Sequence, residues 1–310
     1  MRSGWILLGY IGMVFTGGAL LAPWLFWLAG ILSGHFPALQ SLAGHPFHRY
    51  VNRGVLLPAF LGLWGLARRL GFNSWSAVGF ARTGREGRDL FAGFGVGLGV
   101  LALVGGLQFA AGVRDWNDPR TAEELIRCLL RAGVAAAWVG VAEELVFRGL
   151  LFGGLRQSFR WPVALAVSSA FYSMVHFFAR PPSPASVDWR SGLMTLGGML
   201  RGWFDTGNLL PAAASLFLTG LVLGLAYQRT GTLFTSVGLH AGWVFGLKVY
   251  AYLTRGSDAA DVRGWGTGRM LDGWVMFAVL GALWLVLTQY WRIPVRSKEG
   301  TAWQPDAEAG

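Results

Sequence analysis

Eight apolar stretches run through the chain and limit its fold more than any other feature. They are Trp5–Ile31, Gly54–Ala67, Leu90–Val113, Cys128–Leu155, Trp161–Phe178, Leu209–Tyr227, Leu233–Leu253 and Trp274–Tyr290. A helix needs roughly 20 apolar residues to cross a bilayer, and the second stretch is the shortest. The expected fold class is all-α, a polytopic membrane helix bundle of about eight transmembrane helices. Composition agrees, because 54% of residues are hydrophobic and 14% charged, where a soluble domain carries about 25% charged residues. The 46 glycines and 16 tryptophans suit such a bundle, since Gly lets backbones approach and Trp settles at the interface. The first stretch is too long for a signal-peptide core and lacks a small-x-small cleavage site, so it reads as a retained span. The expected organisation is one membrane domain over residues 1–291, followed by a polar, disordered tail over residues 292–310.

The formal net charge is +10. Basic residues flanking membrane spans explain it, and no basic stripe interleaved with aromatics points to nucleic acid. The expected partners are therefore membrane lipid and a membrane-associated protein or peptide, with no nucleic acid. The turn Arg156–Arg160 and the arginine-rich loop Arg68–Arg88 fall on one side when the N-terminus is inside. That predicts a multi-pass protein of the cell inner membrane with its N-terminus inside. The single cysteine, Cys128, makes no intramolecular disulfide.

The fourth stretch contains residues that lipid should exclude. It reads Glu143-Glu144-Leu-Val-Phe-Arg148-Gly within an otherwise apolar helix. A charge at the centre of a span costs about 2.5–3.5 kcal/mol on insertion scales, so such residues default to a functional reading with a named partner. Glu144 and Arg148 are four apart and share a helix face. Glu143 points about 100° away and needs a partner from another helix. Two intramembrane histidines qualify, His176 in the fifth stretch and His240 in the seventh. Glu143 lies 13 residues before Arg156, His176 16 residues after Arg160 and His240 11 residues after Arg229. At the helical rise these separations are roughly 20, 24 and 17 Å, so the three side chains are predicted to meet in one polar intramembrane cavity.

His35, His45 and His48 share one loop and read as solvated or interfacial rather than as metal ligands. Lys248 and Arg131 read as side chains that snorkel to the interface. The buried polar set supports two readings: a catalytic site, or a structural network or ion pathway in a non-enzymatic membrane scaffold. A carboxylate beside neutral imidazoles, withdrawn from bulk water, activates a bound water, and a histidine donates to a developing oxyanion. Peptide hydrolysis needs these parts. A Glu with two His also suits zinc with an open position, but H-E-x-x-H is missing. No cofactor is therefore expected, with zinc the weaker alternative.

These motifs resemble the CPBP family of membrane endopeptidases, also called the CAAX prenyl protease 2 or ABI family. That family shows E-E-x-x-x-R, then F-x-x-x-H, then H-x-x-x-N. Here they appear as Glu143-Glu144-Leu-Val-Phe-Arg148, as Tyr172-Ser-Met-Val-His176 with Tyr for Phe, and as His240-Ala-Gly-Trp243-Val244 with Val for Asn. Ser168-Ser169 and the run from Gly220 to Leu233 also resemble the family, and the resemblance covers Val134 to Phe245. It implies an eight-helix bundle with an intramembrane cavity and a glutamic-type protease. Glu143 would be the general base, His176 would position the water and His240 would stabilise the oxyanion. Glu144, Arg148 and Tyr172 would support them, and Trp243 or a backbone N–H would replace the Asn missing at position 244. Family members act on prenylated C-a-a-X tails, bacteriocin-like peptides or C-terminal sorting tails.

Overall fold

The computed structural model describes residues 2–117, 121–204, 209–257, 264–266 and 270–290. The expected tail from Arg292 onward lies outside the described residues. The helices are α1 (Arg2–His35), α2 (Gln40–Ala43), α3 (Phe47–Leu61), α4 (Leu63–Arg69), α5 (Glu86–Ala110), α6 (Ala122–Glu144), a π-helical stretch (Leu145–Phe152), α7 (Gly153–Arg156), α8 (Trp161–Val175), α9 (Ser191–Leu200), α10 (Leu209–Thr230), α11 (Phe234–Leu253) and α12 (Trp274–Tyr290). A two-stranded antiparallel ribbon, β1 (Arg114–Trp116) with β2 (Thr254–Gly256), clips the ends of α5 and α11 together. The protein is a polytopic helical bundle.

Four helical segments among the described residues are long and apolar enough to cross a membrane: Arg2–His35, Glu86–Ala110, Ala122–Arg156 and Leu209–Thr230. Trp161–Val175 and Trp274–Tyr290 are apolar but shorter. Burial is inverted relative to a water-soluble protein. Trp5, Trp24, Ile31, Leu130, Val134 and Trp138 are exposed, whereas Gln108, Glu144, Arg148, Ser169, Ser215 and Ser236 are buried. Lipid solvates the first group, and protein must satisfy the second.

Two segments depart from the sequence reading. The second apolar stretch begins earlier than expected, because α3 starts at Phe47. Phe47, Tyr50, Val51 and Gly54 are buried, a period of three and four that places His48, Arg49 and Arg53 on the other faces. Those basic residues give the segment the composition of a loop. Between the fifth and sixth apolar stretches, where no span is expected, lies α9, which buries Gly192, Thr195, Leu196 and Met199 at the same period.

Glycine sets the closest helix contacts. On α11, a Cβ at Gly238 would run into the carbonyl of Leu90, and one at Gly242 into that of Phe94. On α5, a Cβ at Gly93 would meet the carbonyl of Thr235, and one at Gly97 that of Leu239. Each helix thus presents glycines four residues apart to the backbone of the other, the small-xxx-small arrangement of membrane helix pairs. His240 lies between the two glycines of α11, so this contact fixes where its side chain points. Backbone cannot swing aside as a flexible side chain does. Gly238→Val should therefore destabilise the protein by about 1–3 kcal/mol through overpacking, read as a lowered unfolding midpoint in detergent. An unchanged midpoint would mean that α5 and α11 are not held by this contact.

The chain between α8 and α9 is held by a turn outside the membrane spans. Asp188 Oδ1 accepts hydrogen bonds from the Ser191 hydroxyl and from the amides of Arg190 and Ser191. The Ser191 hydroxyl first, then these amides and the Arg190 charge, hold the Asp188 carboxyl below its ordinary range. A carboxyl depressed in the folded state contributes stability above its unfolded pKa and loses it as pH falls through the folded one. Amide protection at the start of α9 should therefore persist at neutral pH and fade only below the ordinary carboxylate range. In Asp188→Ala it should be reduced already at pH 7, as hydrogen exchange would read.

Candidate active site

The site is built on one continuous helical run. α6 starts at Thr121, whose side chain accepts from the Glu124 amide, with Glu123 and Glu124 in the first turn, where carboxylates favour the helix dipole. It continues without a break through the π-helical stretch and α7 to Arg156. Phe147 to Phe152 are all buried, so this part of the run is surrounded by protein. π-helical turns are rare and occur often at functional sites, and here the π stretch begins directly after the two carboxylates.

Glu144 and Arg148 pair as their spacing predicts. Arg148 Nη1 donates to Glu144 Oε1 at 2.8 Å, with the two side chains 1% and 0% exposed. Arg148 Nη2 donates to the Gly220 carbonyl on α10 at 3.3 Å. The planar fork thus ties the π stretch to a second helix, which a lysine would not do with the same geometry. The guanidinium also lies over the Tyr172 ring, 4.6 Å from its centroid.

His240 joins the two carboxylates. Its Nδ1 is 2.8 Å from Glu144 Oε1 and its Nε2 is 3.7 Å from Glu143 Oε2. A carboxylate bound to arginine accepts only, so Nδ1 carries the hydrogen and Nε2 faces Glu143. The 3.7 Å gap is too long for a direct hydrogen bond and suits a shared water. The adjacent carboxylates differ sharply in access, because the Glu143 side chain is 32% exposed and that of Glu144 is 0%.

His176 stands at the C-terminal end of α8, just beyond Val175, and is exposed. Its Nδ1 is 2.7 Å from the Tyr172 carbonyl, so Nδ1 is the donor and Nε2 is left as an acceptor. No hydrogen bond or ion pair joins it to Glu143 or His240 among the described residues. It reaches the cluster through Tyr172, whose buried ring lies 4.6 Å from the His176 ring and 6.2 Å from the His240 ring. Trp243 is buried one turn after His240 and its Nε1 has no acceptor. It packs with Leu101, Val222, Leu239 and Leu280.

Other buried polar atoms near the pair are also unpartnered within the protein: Glu143 Oε2, Glu144 Oε2, Arg148 Nε and Ser169 Oγ. A Cβ added to Gly220 would touch Ser169, so that hydroxyl lies beside the carbonyl that Arg148 engages. Native interiors leave few such groups without protein or water partners. Concentrated here, they give the cluster capacity to bind water or a polar substrate group. Ser169 was legible only as part of the Ser168-Ser169 pair, and its neighbourhood with Gly220 required the α8–α10 contact. Among the described residues no group of three or more His, Cys, Asp or Glu is arranged to hold a metal.

Such a bundle, with an ionic cluster buried between its helices, defines a polytopic membrane protein with charged groups held inside its apolar helices. Residues 125–246 match the family model described as Type II CAAX prenyl endopeptidase Rce1-like, so the chain carries an Rce1-like domain, consistent with the CPBP family. The match contains Glu143, Glu144, Arg148, Tyr172, His176, His240 and Trp243. The family is one of membrane proteases of the CAAX type. No curated protein and no solved structure matches the chain.

Proposed function

We propose that the protein is a glutamic-type intramembrane endopeptidase in which Glu143 activates water. The observation that supports this best is the division between the two carboxylates. Glu144 is fully buried and bonded to both Arg148 and His240. Glu143 is accessible and has an oxygen free opposite His240 Nε2. Glu144 therefore orients the histidine, and Glu143 takes the proton.

Water held between Glu143 and His240 gives a proton to Glu143 as its oxygen attacks the scissile carbonyl carbon. The carbonyl π electrons move to oxygen. The tetrahedral intermediate then collapses, the C–N bond breaks and Glu143 returns its proton to the leaving amine. For His240 Nε2 to donate to the oxyanion the ring enters the cycle already protonated on both nitrogens and keeps that proton throughout, with the Glu143 and Glu144 carboxylates on either side of it. His176 Nε2 accepts from water and helps to position it. Trp243 Nε1 is the available donor in place of the Asn that Val244 replaces.

The substrate is a membrane-associated protein or peptide with a prenylated, bacteriocin-like or sorting-tail C-terminus. The protein sits in the cell inner membrane with its N-terminus inside. Proteomics of C-termini in cells carrying the wild type or Glu143→Gln tests this reading. The wild type should yield a set of new C-termini that the variant lacks, and identical sets would overturn it. Turnover should also persist in a chelator, because Glu and His act here as base and donors rather than as ligands. Activity lost to the chelator and restored by zinc would reverse that assignment.

A further inference from the structure

A cleft of about 390 Å³ opens between the N-terminal end of α6 and the C-terminal end of α11, and its lining includes Glu124, Arg127, Cys128, Arg131, Lys248 and Tyr252. It is separate from the carboxylate–histidine cluster. Glu143 follows Arg131 by 12 residues and Lys248 follows His240 by eight, offsets of roughly 18 and 12 Å along their helices.

The charges of this cleft are unbalanced. Arg127 is bonded to the Glu123 carboxylate. Arg131 and Lys248 stand on facing helices and form no ion pair among the described residues. Glu124 is the one acidic side chain in the lining. With Arg127 neutralised by Glu123, two cations and one carboxylate leave a surplus of one positive charge, the complement of a phosphodiester.

Depth identifies the source of that phosphate. The helical run Ala122–Arg156 has 35 residues, about 52 Å at the α-helical rise, against a hydrocarbon core of about 30 Å. Its excess length must leave the core. Glu123, Glu124, Arg127 and Arg131 all fall in its first ten residues. From Arg131 to Arg156 the run carries no charge except Glu143, Glu144 and Arg148. Arg131 therefore marks the level where lipid headgroups begin. Leu130 is exposed at the same level, Val134 and Trp138 follow below it at helical spacing, and Ile126 is one turn above, so the lower part of this ridge faces lipid tails.

We propose that this cleft binds the headgroup of an anionic phospholipid, with Arg131 and Lys248 holding the phosphate and the acyl chains lying along Leu130 and Val134. Basic pockets between membrane helices take lipid phosphates by this chemistry. The ammonium on its flexible stem and the guanidinium fork reach the same oxyanion from opposite walls.

Native mass spectrometry of the detergent-solubilised full chain tests the proposal with phosphatidylglycerol, phosphatidylcholine and inorganic phosphate as separate probes. Alkylation of Cys128, the single cysteine, provides a second readout at the cleft itself. The wild type should retain one phosphatidylglycerol about tenfold better than phosphatidylcholine, and that lipid should slow Cys128 alkylation. Arg131→Gln with Lys248→Gln should remove both effects, and Arg131→Lys with Lys248→Arg should keep them. Equal retention of the two lipids by the wild type would overturn the proposal, even if the double glutamine variant does not fold. Phosphatidylglycerol bound undiminished by that variant would overturn it too. Protection of Cys128 by inorganic phosphate as strong as by the lipid would overturn the lipid assignment.

Discussion

Glu143→Gln is expected to lower kcat by about 10²–10⁴-fold, the usual contribution of a positioned general base, with little change in the unfolding midpoint. The substitution keeps volume and removes only the proton acceptor. Glu143 is the partly exposed member of the pair, and its free oxygen bonds no protein group. Losing its charge therefore leaves no buried partner stranded. KM should stay near the wild-type value, since a base acting only in the transition state does not contribute to ground-state binding. Purified protein, a cleavable membrane peptide and a thermal melt in the same detergent give the three readouts. A variant with near wild-type turnover would sink the glutamic mechanism, whatever the family of the domain.

Arg148→Met should act in the opposite manner, through stability. It removes the cation from a fully buried carboxylate that also holds His240, and it cuts the link to the Gly220 carbonyl. Breaking one side of a buried ion pair costs about 3–5 kcal/mol, because the remaining charge is left uncompensated. Arg148→Lys should recover only part of this, since one ammonium does not reproduce the fork. The double variant Glu144→Gln with Arg148→Met should be less destabilised than Arg148→Met alone, because the carboxylate that Arg148 compensates is then gone as well. A double-mutant cycle on unfolding midpoints measures this coupling. Additive losses would mean that the pair is not energetically linked, and the positioning role given to Glu144 would fall with it.

These two outcomes separate roles that the sequence set side by side. Neighbouring glutamates in one helix look equivalent as letters. Their separation into a partly exposed and a fully buried carboxylate depends on what packs against each face. The π-helical stretch, α8 and α10 enclose the Glu144 side, through Phe147, Tyr172 and Gly220. The Glu143 side faces His240 and remains partly open.

Whatever depends on neighbours within one helix was legible in the order of the residues. The apolar runs gave the long spans, because lipid leaves a backbone no other way to satisfy its hydrogen bonds. The four-residue spacing of Glu144 and Arg148 gave their pair, because residues at that separation share a face. The amphipathic starts of α3 and α9 were hidden, since their polar residues match loop composition and their buried faces form only against α1 and each other. Tertiary structure alone decided which histidine Glu143 meets. His176 and His240 lie at similar depth, so helical rise could not rank them. The glycine contacts of α11 with α5 hold His240 between the carboxylates, whereas α8 ends at Val175 and leaves His176 bonded to its own backbone. A partner 96 residues away is selected by how closely two backbones approach, and that distance is a property of both helices together.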